Sequence, residues 1–136
     1  MIPAAQASQS RRLRILIADD ERDEVATLAA LLNDEGHQVR ELYRGDAVVN
    51  HVVDFAPHVV LLDIGMPGLN GYDVAKNLRA ACGDKCPVLI AVTAWSKGRH
   101  RMHGKIAGFT KYVTKPYDPA ALIALLPTLV PQPFAA

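Results

Sequence analysis

The chain has 136 residues, half of them apolar and 21% charged, and its 15 Lys+Arg against 14 Asp+Glu give a net charge of +1. That balance suits one globular domain and excludes a disordered or low-complexity chain, as well as a whole-protein field for nucleic acid or an anionic membrane. No apolar run approaches the roughly eighteen residues of a membrane span. Met1 to Ser10, followed by Arg11 and Arg12, lacks the layout of a signal peptide, so a cytoplasmic location is expected.

In chain order, Leu13–Ala18 reads as a first strand, because its short Ile/Leu-rich run, apolar but for Arg14, suits a strand buried on both faces of a parallel sheet. Val25, Leu28, Leu31 and Leu32 then share one helical face, and Gly36 stands where a C-terminal glycine belongs. Gln38–Tyr43 is a weaker strand. Val48, Val49, Val52 and Val53 combine β-branching with i, i+4 spacing; a parallel sheet needs a crossover there, so Asp46–Phe55 is read as helix. Val59–Leu62 is a strand, followed by a helix after Gly71 carrying Val74, Leu78 and Ala81. Val88–Val92 is the fourth strand, and Lys97–Ala107 a helix weakened by Gly98 and Gly104. Lys111–Thr114 is the fifth. Asp118-Pro119 starts a last helix bearing Leu122, Leu125 and Leu126, and Pro127 is expected to stop it.

The result is an α/β domain, (βα)5, with a doubly wound five-stranded parallel sheet and right-handed crossovers. Its expected limits are 13–127, with a flexible N-terminal segment 1–12 and a flexible tail 128–136, and no output domain is expected in the residues after 127. Cys82 and Cys86, spaced C-x-x-x-C with no second Cys or His pair, lack both a disulfide framework and a zinc half-site, and are expected as reduced thiols at a helix end.

Such sheets place ligands at the carboxyl ends of their strands. The first strand ends in Asp19-Asp20-Glu21, the third in Asp63-Ile64-Gly65-Met66-Pro67-Gly68, the fourth in Thr93-Ala94 and the fifth in Lys115-Pro116. One rim thus carries three carboxylates, a hydroxyl and an ammonium. Crowded carboxylates repel unless a cation joins them, and hard oxygens suit Mg2+. Singly, these residues read as a helix cap, a loop acid, a strand-end hydroxyl and a solvated charge. Together they imply phosphoryl transfer onto a carboxylate.

Over about residues 13–127 the sequence resembles the receiver domains of bacterial two-component response regulators. The matching residues are Asp19-Asp20, Asp63 with Met66-Pro67-Gly68 and Gly71, Thr93-Ala94, Gly108-Phe109, Tyr112 and Lys115-Pro116. The wording from Asp63 to Tyr72 looks like the receivers attached to hybrid histidine kinases. The resemblance implies a flavodoxin-like strand order 2-1-3-4-5. It implies that Asp63 is the phosphoacceptor, that Asp20, Asp63 and the Gly65 carbonyl hold Mg2+ (with Mn2+ able to substitute), and that Asp19 acts mainly through water. Thr93 and Lys115 would bind the phosphoryl group, and Thr93 with Tyr112 would form the switch. A cis Lys115–Pro116 bond is expected as well, since proline lowers the cost of cis and a tight turn is needed to aim Lys115 at the site.

The function implied is a signalling switch, not a turnover enzyme, that assists only its own phosphorylation and dephosphorylation. The donor would be a histidine kinase or histidine phosphotransfer protein. A downstream protein would read helix 97–107, strand 111–114 and helix 119–127, with the chain a monomer or weak dimer. An aspartate-nucleophile phosphatase uses similar groups but wants D-x-D on the first strand and a substrate cap. A flavodoxin-like nucleotide-binding module wants a phosphate loop where Asp19-Asp20-Glu21 would repel phosphate. Lys97, Arg99, Arg101 and Lys105, with His100 and His103, read as a solvated helix face or as a docking surface for an acidic protein; no DNA-reading motif accompanies them. Trp95, beside the site, is a loop aromatic or a shield over it.

Overall fold

Five short strands lie parallel in one sheet. The computed structural model describes residues 12–66, 71–94 and 108–131. The strands β1 (Arg14–Ala18), β2 (Gln38–Leu42), β3 (Val59–Asp63), β4 (Val88–Thr93) and β5 (Lys111–Thr114) are ordered β2-β1-β3-β4-β5, as the resemblance implies. Around them run α1 (Arg22–Asp34), α2 (Val48–Phe55), α3 (Gly71–Cys82) and α4 (Pro119–Leu129), with 3-10 turns over Gly45–Ala47 and Gly83–Lys85. The helix expected over Lys97–Ala107, its basic face, and Trp95 lie outside the described residues. Among the described residues no helix is long and apolar enough to cross a membrane.

The uninterrupted apolar runs are explained by two cores, one on each face. Leu16, Ala18, Val60, Leu62, Leu89 and Ala91 point toward Val48 and Val52 of α2 and Val74, Ala75 and Leu78 of α3. Their strand neighbours Ile15, Ile17, Val59, Leu61, Ile90 and Val92 point toward Val25, Leu28 and Leu32 of α1 and Leu122 and Leu126 of α4. Each fully buried Leu or Ile contributes about 1.5–3 kcal/mol, so a one-residue slip of β1 or β3 would exchange two packed layers and is strongly opposed.

Local signals set the ends of the elements. Gly36 takes φ +94° beyond α1, the left-handed conformation that closes a helix. Asp118 caps α4 by accepting the Ala120 N–H at 3.1 Å, with Pro119 in the first turn. Pro127 does not stop α4, contrary to expectation: the helix continues to Leu129, and Val130 is buried against the α1 side of the sheet. The bond that proline forfeits lies near the helix end. There the Thr128 hydroxyl donates to the Leu125 carbonyl at 2.6 Å, and burial of Val130 rewards the extra turn.

The cysteines also depart from expectation, because Cys82 and Cys86 are joined in a disulfide. Gly83, at φ +55°, turns the chain after α3 and brings their Cα atoms to 5.0 Å, inside the roughly 4.4–6.8 Å span of bridged pairs. A local pair needs no wider framework.

At the rim where the strands begin, two imidazoles flank β1. The Leu13 N–H donates to His37 Nδ1 at 3.1 Å, and the Arg14 N–H to His58 Nδ1 at 2.9 Å. Burial lowers the pKa of His37, only partly offset by the Glu35 charge, and the neutral ring is the form able to accept at Nδ1.

Candidate functional site

The opposite rim gathers the acids. Just beyond β1 stand Asp19 and Asp20, Asp63 ends β3, Thr93 ends β4, and Lys115 follows β5 at the edge of the sheet. The side chains of Asp19, Asp63 and Lys115 are only 10%, 9% and 12% exposed, whereas Asp20 and Gly65 face solvent.

Asp63 is held at both oxygens. Oδ1 accepts the Gly65 N–H at 2.8 Å, and Oδ2 faces Lys115 Nζ at 3.3 Å. Burial raises its pKa most. The Gly65 hydrogen bond opposes that shift, the Asp19 charge adds to it, and Lys115 works against it. Ile64 N–H bonds the Val92 carbonyl at 3.2 Å, and Gly71 lies so close to Ile64 that a Cβ there would stand 2.6 Å from the Ile64 side chain. The β3 loop is therefore pinned on two sides just beyond Asp63.

Lys115 is the hub. Its backbone N–H donates to the Thr93 carbonyl at 2.8 Å, tying the ends of β4 and β5 together. The peptide bond to Pro116 is cis, as expected. Its ammonium lies 2.9 Å from Asp19, 3.1 Å from Glu24, and 3.3 Å from both Glu21 and Asp63. Burial disfavours the charged amine. Hydrogen bonds to Asp19 and Glu24 and the charges of Asp63 and Asp19 outweigh that, so its pKa lies above the ordinary lysine value.

The expected residues Asp19, Asp20 and Asp63 do converge: one carboxylate oxygen from each lies within 4.8 Å of the others. That all-oxygen set fits a hard divalent cation such as Mg2+. A second acid group, Asp19, Glu21 and Glu24, meets within the same 4.8 Å but already surrounds the Lys115 ammonium. Thr93 is buried at the end of β4. Tyr112 is half-buried on β5, its ring centroid 6.0 Å from that of Phe109. Met66 is buried in the α2–α3 core; Pro67 and Gly68 fall outside the described residues.

Sequence reasoning missed Glu24 and the reach of Glu21. Both lie at the start of α1, three residues apart and so on one face, directly after the Asp pair; that spacing was the available signal.

A rim of this composition at the carboxyl ends of a 2-1-3-4-5 sheet belongs to one class of signalling module, and the chain is a member of the response regulator receiver domain family, whose sequence profile matches residues 15–127. Receiver domains of this family serve two-component signal transduction and bind Mg2+ in an acidic pocket. The chain is 37% identical over 110 residues to protein PilH of Pseudomonas aeruginosa, with 81% of this chain and 91% of PilH aligned. It is 34% identical over 113 residues to the DNA-binding response regulator MtrA of Mycolicibacterium smegmatis, with 83% of this chain but only 48% of MtrA aligned. Among solved structures, a receiver domain from Bermanella marisrubri superposes with a TM-score of 0.78 at 27% identity, over 88% of this chain and 98% of that one.

Proposed function

We propose that the chain is a phosphorylation-activated switch in which Asp63 accepts a phosphoryl group from the phosphohistidine of a histidine kinase or histidine phosphotransfer protein. An Asp63 oxygen forms the new O–P bond, the P–N bond to the donor imidazole breaks, and that imidazole leaves with its electron pair. The observation that carries this reading is the clamp on Asp63. The Gly65 N–H fixes one oxygen, Lys115 faces the other, and Asp19 and Asp20 stand beside them.

Asp20, Asp63 and the Gly65 carbonyl would hold Mg2+, with Asp19 contributing through water; Mn2+ suits the same oxygens. The ion supplies charge neutralisation for the phosphoryl oxygens. The remaining work falls to this chain. Lys115 balances the new negative charge, the Thr93 hydroxyl donates to a phosphoryl oxygen, and Tyr112 follows Thr93 inward against Phe109. Strand 111–114 and α4 then present a changed face to a downstream protein. The chain assists this chemistry on itself and turns over no further substrate. Residues 13–127 would carry the switch.

Intact-mass measurement after treatment with acetyl phosphate tests the reading. A single phosphoryl adduct should form only with Mg2+ or Mn2+ present and should vanish in Asp63→Asn. An adduct that persists in Asp63→Asn, or forms equally well in chelator, would refute it.

A further inference from the structure

A lysine ammonium has three protons to donate, and four carboxylates surround that of Lys115. They are not equally placed. Asp19 is nearest, buried, and fixed at its other oxygen by the Glu21 N–H at 3.0 Å, so it holds its share. Glu24 comes next at 3.1 Å, nearer than Asp63 at 3.3 Å. Glu24 reaches in from the first turn of α1 with its side chain half exposed. It lies beside a groove of about 310 Å³ lined also by Asp23, Thr27 and Tyr117, which gives it room to swing away. Glu21 occupies the N-cap position of α1 yet makes no capping hydrogen bond; its carboxylate too is turned to Lys115.

We propose that Glu24 is a positioning residue that draws the Lys115 ammonium away from Asp63 in the resting protein and thereby slows phosphorylation by small donors. The inference rests on Asp63 being the phosphoacceptor. Because the Lys115 backbone is tied to Thr93, only the end of its side chain can choose between partners. Each proton given to Glu24 is one not directed at Asp63 or at an incoming phosphoryl oxygen. Glu24 thus sets a threshold that the transfer must overcome.

The test follows the rate of acetyl phosphate labelling, with Mg2+, in the parent chain, Glu24→Gln, Glu24→Asp, Asp23→Asn and Asp63→Asn. Asp23 carries the same charge in the same turn but makes no ion pair with Lys115, so it controls for the general field of the acids. Glu24→Asp keeps the charge but is one methylene too short to reach. Glu24→Gln and Glu24→Asp should each label about three- to fivefold faster than the parent, the size of a partly exposed ion-pair contact. Asp23→Asn should stay within about twofold, as expected for screened exposed charges. A purely structural role for Glu24 would not make the charge-retaining Glu24→Asp track Glu24→Gln. Equal acceleration in Asp23→Asn, unchanged or slower labelling in Glu24→Gln, or Glu24→Asp matching the parent would each overturn the inference. No labelling of the parent, or labelling that survives in Asp63→Asn, would instead bring down the assignment of Asp63, and this inference with it.

Discussion

Lys115 stands closer to Asp19 than to Asp63: its Nζ is 2.9 Å from Asp19 Oδ2 and 3.3 Å from Asp63 Oδ2. The two acids of the Asp19-Asp20 pair therefore have different energetic parts. Asp19 is the buried counter-ion of the lysine, while Asp20 is solvent-facing and adds negative charge without a lysine contact. In metal-free protein, Asp19→Asn should lower stability by about 1–2 kcal/mol, less than for a fully buried pair because three carboxylates still face Lys115. Asp20→Asn should raise it by about 0.5 kcal/mol. Mg2+ at ten times its dissociation constant should add about 1.4 kcal/mol to the parent. Thermal melts with and without Mg2+ check all three, and a midpoint indifferent to Mg2+ would count against the cation pocket.

Once formed, the aspartyl phosphate should be long-lived. Hydrolysis needs a water aligned opposite the departing carboxylate, and Gly65, two residues beyond Asp63, has no side chain with which to hold one. Gly65→Asn places an amide there and should accelerate loss of the phosphoryl group by about tenfold through better alignment. Decay of the intact-mass adduct after removal of the donor measures both. Rapid decay in the parent would contradict the expectation.

His37 should make stability depend on pH. Its folded pKa lies below the ordinary 6.5, so as pH falls past 6.5 the unfolded chain takes up the proton first. This contribution is therefore complete above pH 6.5 and lost as pH falls toward the folded value. His37→Asn keeps an acceptor near the Nδ1 position for the Leu13 N–H and removes the titration. Denaturant melts of both proteins across that range should converge at lower pH, and parallel curves would show that His37 is not the titrating group.

Reducing the Cys82–Cys86 bridge should cost at most about 2 kcal/mol, because the loop it closes is short. A thiol count before and after reductant, paired with a melt, checks this. Two titratable thiols in unreduced protein would show the pair to be open.

Gly71→Ala should destabilise by about 1–3 kcal/mol, since the added methyl must displace Ile64 and the loop next to Asp63. The same variant should label more slowly with acetyl phosphate. Normal stability together with normal labelling would show that the loop yields without consequence.

Much of this was legible because a buried parallel strand has a simple signature. Val59–Leu62 and Val88–Val92 stand out as apolar runs, and the chemistry-bearing residues follow each run directly, so strand ends and site could be read together. Asp118-Pro119 and Gly36 act locally and were equally clear. What escaped depends on side-chain reach or on energy gained elsewhere. The Glu24–Lys115 contact spans 91 positions and appears only once β5 lies beside β4 and Lys115, the residue after it, reaches the first turn of α1. The persistence of α4 past Pro127 depends on where Val130 packs. The Cys82–Cys86 pairing depends on the left-handed turn at Gly83.

The bridge between Cys82 and Cys86 offers a practical consequence. β4 starts at Val88, two residues after Cys86, and ends at Thr93, about 17 Å away at the usual rise per residue. These are the chain's two cysteines. A fluorophore or surface tether attached there after reduction would sit at the far end of β4, where it could report on the molecule without entering the acidic rim. Thiol chemistry, usually a hazard near a reactive carboxylate, becomes here a way to hold the protein by its other end.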